Sequence, residues 1–428
     1  MSVYGPEAIP ALHREDICTV PNESVSAGSV ILHRQTAKWS RDLLITRRHI
    51  LSGMSAAALL PRMALGAEKR VFKASIALDQ DRVLVAVGMQ GKGPYIFMID
   101  TGGFISLIRN SLAKTLKLEM TGHVEARGAG GSDTYPIFMA RDFVIGGTMR
   151  QPKVALMGAG DLNYGEDIEG TLAAGIMTVV DSDLDFDAGE FRMYPEGRGE
   201  RPGFAAVASD IRRDDDQSSP FLYVDLAVNG RRLETMLDTG MGELLSIAPS
   251  AAKATGLWDD SRPYAPFRPR GIGGQGQLNR IVRAAPISLG GVTFDRPLVA
   301  LRGQGTGIKA GAEIGDAIAG LALIRRFNLS VDARAGKLWV QPSKQKPPVQ
   351  DYGYSGLWCD LSGPTTVEAV GTGSPAAAAG IRRGDRIIGE WGKVRTMLGG
   401  DAGEVVHLTT ERDGMRRDVE FTLKPFLD

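Results

Sequence analysis

Two tripeptides in this 428-residue chain are identical and chemically suggestive: Asp100-Thr101-Gly102 and Asp238-Thr239-Gly240. Two carboxyl groups held about 3 Å apart cannot both ionise, so they share one proton and can serve together as acid and base. Such a pair titrates as a unit with two macroscopic pKa values. It can deprotonate a water molecule and protonate a carbonyl oxygen without a metal or a side-chain nucleophile. A single Asp-Thr-Gly carries little information in a chain with 54 glycines. Two of them at matching points of a repeat carry much more.

The repeat is what must position them. Val85–Leu118 and Val224–Leu257 follow one plan: an alternating apolar strand (Val85, Val87, Met89; Val224, Leu226, Val228), a Gly turn, and a second apolar strand ending in Asp-Thr-Gly. Each copy continues into a helix-like stretch with Ser-x-Ala-Lys, at Ser111–Lys114 and Ser250–Lys253. Further on, Arg127–Gly131 matches Arg270–Gly274, and Val144-Ile145-Gly146-Gly147 matches Ser288-Leu289-Gly290-Gly291 as a turn between strands. Ala173–Ile176 matches Ile318–Leu321, and each copy is expected to finish with one strand, Leu184–Tyr194 or Leu329–Val340. Glu196–Ser219, rich in Gly, Arg, Asp and Ser, and Gln341–Tyr352, with three prolines among lysines, read as linkers.

In this arrangement the chain resembles the aspartic peptidases, specifically retropepsin-like lobes joined in one chain as in the pepsin arrangement, over about residues 71–342. The resemblance implies that Asp100 and Asp238 are the catalytic dyad. Thr101 and Thr239 would hydrogen-bond across the lobe interface, and Gly102 and Gly240 would let the backbone approach the carboxylates. Gly128, Gly130, Gly131 and Gly271, Gly273, Gly274 would form flap hairpins that exclude water from bound substrate. Plain hairpin turns are the other reading of these glycines. Phosphate binding is disfavoured, because no helix pattern follows to supply its N-terminus. The family usually has Ala, Ser or Thr after Asp-Thr-Gly, and here Gly103 and Met241 stand there. Without a hydroxyl donor to the ionised carboxylate, a dyad working nearer neutral pH is expected. Tyr135 has no counterpart in the second copy.

Gly353–Asp428 reads as a separate module. Its run Ser374-Pro375-Ala376 through Ala379-Gly380-Ile381 to Gly384-Asp385-Arg386-Ile387 is similar to the helix-and-turn signature of bacterial PDZ domains. The resemblance implies binding of extended peptides at a sheet edge, with Gly356, Leu357 and Trp358 as the carboxylate-binding loop. Lys393–Gly403 holds three glycines where the groove helix normally sits, so that helix is expected to be short or missing. Two readings stand, a peptide receptor and a fixed brace on the lobes.

The expected fold is therefore mainly β: two tandem retropepsin-like acid-protease β-barrel lobes (68–199 and 200–342), then a small PDZ-like α+β module (353–428). Equal numbers of basic and acidic residues, 50 each, give no electrostatic case for nucleic acid or membrane as partner. Two cysteines, Cys18 and Cys359, exclude a disulfide framework, and neither they nor the five histidines have zinc-site spacing. No metal or organic cofactor is implied. Cys359 reads as a small buried hydrophobe. A serine peptidase is disfavoured by the lack of a Gly-x-Ser-x-Gly or Gly-x-Ser-Gly-Gly motif. His407 falls in a strand of the C-terminal module and His123 in the first lobe.

Residues 1–67 read as an N-terminal extension and export signal. Arg47-Arg48 precedes the short apolar run Ile50–Leu60, followed by Arg62 and the small residues Ala64–Ala67. The paired arginines resemble the twin-arginine motif, which implies export and a periplasmic or secreted location. The run falls short of the roughly 20 apolar residues that span a bilayer. The expected protein is a monomeric, exported aspartic endopeptidase acting on peptides or proteins, with a catalytically inactive peptide-binding adaptor on the same fold as the alternative.

Overall fold

The computed structural model describes residues 70–427 apart from 80, 129–130, 161–164, 166, 214–218, 272–273, 304–314, 349–350 and 361–364. The export signal read at 1–67, and Gly130 and Gly273 of the glycine hairpins, lie outside the described residues. The chain is mainly β, with short helices between strands. No described helix is long and apolar enough to cross a membrane.

The alternation read from the sequence decides which faces are buried. Val85, Val87 and Met89 in the Arg82–Met89 strand, and Val224, Leu226 and Val228 in the Phe221–Val228 strand, are all fully or almost fully buried in one continuous core. The repeat also recurs in strand pairing. Lys92–Ile99 runs parallel to Ile168–Leu172, pairing Ile99 with Leu172, and Arg231–Asp238 runs parallel to Ala317–Gly320, pairing Asp238 with Gly320. Leu107–Arg109 lies between Ile168–Leu172, antiparallel, and Met149–Ala159, parallel. Leu245–Ile247 lies in the same manner between Ala317–Gly320 and Leu298–Leu301. The Ser-x-Ala-Lys stretches form the helices Asn110–Thr115 and Pro249–Ala254.

The structure corrects the expected last strand of each half. Leu184–Tyr194 is a hairpin of Asp181–Asp185 and Glu190–Tyr194, and Leu329–Val340 is a hairpin of Phe327–Asp332 and Lys337–Pro342. The two hairpins meet where Leu329, Ser330 and Val331 pair with Leu184, Asp183 and Ser182. A run of six strands results, in the order Ala205–Val207, Lys337–Pro342, Phe327–Asp332, Asp181–Asp185, Glu190–Tyr194 and Phe72–Asp79. It joins the two halves by backbone hydrogen bonds.

Glu196–Ser219 is likewise not a free linker. Ala205–Val207 is the edge strand of that run, and Ser209–Arg212 pairs with Phe221–Val228. Two of its arginines, Arg198 and Arg201, are largely buried against acids, which polar composition does not reveal. Arg198 donates from Nε to Asp183 Oδ2 at 2.7 Å, and Tyr194 donates its hydroxyl to the same oxygen. Arg201 reaches Asp181 Oδ2 at 3.2 Å and Ser330 Oγ at 3.0 Å, crossing from one half to the other. Gln341–Tyr352 begins inside the Lys337–Pro342 strand. Beyond it, the Lys344 N–H donates to Asp187 and the Gln345 side chain to the Phe186 carbonyl.

The C-terminal module is a five-stranded antiparallel sheet with its own core, including Val367, Ile381, Ile387, Val406 and Leu423. Cys359 belongs to that core as expected, and burial pushes its thiol pKa up to about 11. The helix in doubt is present and short: Trp391–Leu398, two turns, with Val394 buried. His407 lies in the Val405–Arg412 strand beside Glu420, and His123 lies in the Glu119–Gly128 strand.

Candidate active site

Each Asp-Thr-Gly follows the inner strand of its half, and the two loops face each other across the join. Asp100 is tied down by its N–H, which donates to the Leu172 carbonyl at 2.8 Å. The Thr101 hydroxyl donates to the Leu237 carbonyl at 2.9 Å and accepts from the Thr239 N–H at 3.0 Å. Reciprocally, the Thr239 hydroxyl donates to the Ile99 carbonyl at 2.7 Å and accepts from the Thr101 N–H at 3.1 Å. Both threonines are buried. Beneath them a cavity of about 10 Å³ is lined mainly by apolar side chains, including Ala174, Met177, Leu222 and Leu237. The four bonds fix the loops in one relative position, and side chains buried this deeply need such partners.

Asp100 and Asp238 are brought into hydrogen-bonding contact with each other. The Gly102 N–H donates to Asp100 Oδ1 at 3.2 Å, and the Gly240 N–H to Asp238 Oδ1 at 2.8 Å. Burial and, second, the charge of Asp238 hold the Asp100 carboxyl well above the ordinary aspartate value. Burial also raises Asp238, with a smaller upward push from Glu243. The N–H groups of Gly102, Gly103, Gly240 and Met241 pull the other way by favouring the ionised forms. The leading cause of both shifts is burial, a cause separate from the missing hydroxyls. Met241 packs against a cluster containing Ala174, Phe221, Tyr223, Met236 and Ile318 rather than standing free beside the loop.

The glycine runs are hairpin tips in both halves. Gly128 pairs with Gly131 at the end of Glu119–Gly128 and Gly131–Ile145, and Gly271 pairs with Gly274. The hairpins differ in their stems. The first has a long ladder from Glu119↔Met139 to its tip, with one register shift. In the second, the ladder pairs Ala265–Phe267 with Asn279–Arg283, breaks, and resumes only at Arg270↔Gln275.

Gly356, Leu357 and Trp358 lie at the start of the module's edge strand, Leu357–Asp360. Two of the loop's N–H groups are already engaged: Gly356 donates to the Gly353 carbonyl at 3.0 Å and Leu357 to Ser355 Oγ at 3.3 Å. Among the described residues no three His, Cys, Asp or Glu side chains are grouped to hold a metal ion.

Sequence reasoning missed Arg268. It lies at the break in the second hairpin's ladder, donates from Nη1 to the Gly276 carbonyl at 2.9 Å, and grips Glu368 of the C-terminal module with Nε and Nη2. No sequence signal marks it, because its partner lies 100 residues away.

Residues 85–175 match a family described as aspartyl protease, a span that takes in Asp100 and the first glycine hairpin but not Asp238. None of the curated proteins matches the chain. Similar solved structures include basic 7S globulin from soybean, at 9% identity and TM-score 0.40, covering 64% of this chain and 96% of that one. An aspartic proteinase from Irpex lacteus is similar at 13% identity and TM-score 0.41, covering 64% of this chain and 98% of that one. At such identity and overlap, side-chain roles do not transfer.

Proposed function

We propose that this chain is an exported aspartic endopeptidase of two retropepsin-like lobes, with Asp100 and Asp238 as its catalytic residues. The observation that carries the reading is the contact between two buried carboxyl groups, each raised above the usual aspartate range, on loops locked together by Thr101 and Thr239. The aspartyl-protease match over 85–175 supports it from the first half alone.

In this mechanism the pair holds one proton. The ionised carboxylate takes a proton from water as the water oxygen bonds to the scissile carbonyl carbon, and the other carboxyl gives its proton to the carbonyl oxygen. The tetrahedral diol then collapses: the C–N bond breaks, the nitrogen takes a proton from one carboxyl, and a hydroxyl proton returns to the other. One chain supplies both aspartates, so a monomer suffices. The two glycine hairpins would close over the substrate and exclude water. Export follows from the paired arginines of the N-terminal segment.

The test is incubation with a diverse peptide mixture from about pH 4 to 8, read by mass spectrometry, beside Asp100→Asn and Asp238→Asn. Cleavage abolished by both substitutions supports the reading. Cleavage that survives them overturns the mechanism, and a folded protein that binds peptides without cutting them is the inactive adaptor.

A further inference from the structure

The C-terminal module is docked against the stem of the second hairpin. Tyr264 donates its N–H to the Thr372 carbonyl at 3.3 Å and its hydroxyl to the Val370 carbonyl at 3.1 Å. Gly371 lies against the Tyr264 carbonyl so closely that a β-carbon there would overlap it. Phe426 and Leu427 of the module share a buried cluster with Tyr352 of the preceding segment and with Ala265 and Leu298, and Arg283 donates to the Leu427 carbonyl at 2.8 Å. These contacts fall on the residues that lead into the hairpin, on its returning strand at Arg283, and on the neighbouring Leu298–Leu301 strand.

Arg268 stands where that hairpin's own ladder is interrupted. Its Nη1 holds the Gly276 carbonyl on the returning limb, between the Gly274–Gln275 and Asn279–Arg283 strands, while the Gly276 N–H donates to the Pro269 carbonyl at 2.8 Å. Its other two nitrogens, Nε and Nη2, donate to the Glu368 carboxylate, in a fork that a planar guanidinium fits and an ammonium does not. Both side chains are mostly buried. The first hairpin needs no such clamp, because its ladder runs to the tip.

We propose that Arg268 is a positioning residue, through which the C-terminal module acts as a brace that sets the second glycine hairpin over the substrate cleft. The assignment of that hairpin as a flap rests on the peptidase reading above. The engaged N–H groups of Gly356 and Leu357 agree with a brace better than with a free carboxylate receptor.

The test is hydrogen–deuterium exchange on the full chain, followed over residues 266–283 and, as internal control, 119–145. Glu368→Gln is expected to speed exchange in the second hairpin at least about tenfold and to leave the first unchanged. The swap Arg268→Glu with Glu368→Arg restores the ion pair but offers no donor to Gly276. Fast exchange in the swap supports the proposal; full recovery of protection shows that the pair only glues the module on and overturns it. Unchanged exchange in Glu368→Gln also overturns it. If cleavage is measurable, Glu368→Gln raises KM several-fold more than it lowers kcat and leaves the pH profile in place. A parent chain that cuts nothing refutes the peptidase reading, while the exchange result still decides the brace.

Discussion

Gly102 lies against the carboxyl group of Asp238, so closely that a β-carbon on Gly102 would overlap Cγ and both oxygens. A β-carbon on Gly240 would likewise overlap Cγ and Oδ1 of Asp100. Each half therefore supplies the gap into which the other half's carboxyl fits, which is why glycine follows threonine twice.

Gly102→Ala and Gly240→Ala follow directly from that relation. Each forces the facing carboxyl or the loop to move, costing about 1–3 kcal/mol as overpacking does. Urea unfolding should show lowered midpoints for both, and peptide cleavage should fall far more than stability. Wild-type activity in either variant rules out the close contact.

Thr101→Val and Thr239→Val keep the shape of the buried loops and remove their hydroxyls. Each leaves a carbonyl and an N–H of the other half without a partner, at about 1–3 kcal/mol. Because the four bonds form one network, the double variant should cost less than the sum of the singles. Strict additivity in a double-mutant cycle refutes the coupling.

The dyad makes stability depend on pH. Both aspartates titrate above the ordinary value chiefly because burial disfavours their ionised forms. Their contribution is fully present below the unfolded aspartate pKa of about 3.9 and is lost as pH rises through the raised folded values. Asp100→Asn removes one group that must ionise. Its unfolding free energy should improve relative to the parent as pH rises from about 4 to 8, and a difference that stays flat counts against the raised titration.

The Asp183 carboxylate is almost fully buried and held by Arg198 and Tyr194. Removing its charge strands the Arg198 guanidinium, so Asp183→Asn should cost about 3–5 kcal/mol. The Tyr194 hydroxyl, pushed up to about 12 by burial and then by Asp183, should titrate lower in that variant. Chemical denaturation and ultraviolet pH titration measure the two effects.

Cys359 offers a simple check on the module's packing. With its thiol pushed up to about 11 by burial, it should react with a disulfide reagent far more slowly in the native chain than after unfolding in urea. Equal rates contradict its burial.

The mainly β character, the internal repeat, the facing of Val85, Val87 and Met89, and the pairing of Asp100 with Asp238 were legible in the sequence. Each is written in local periodicity or in an identical motif met twice. What the tertiary structure alone decided lies where polar residues are buried. Glu196–Ser219 reads as a linker by composition, yet Arg198 and Arg201 are held by acids on strands that only folding brings near. No motif or spacing marks Arg268, and its role emerges only where Glu368 and Gly276 converge on it. A buried ion pair is a relation between distant residues, and no periodicity along the chain records it.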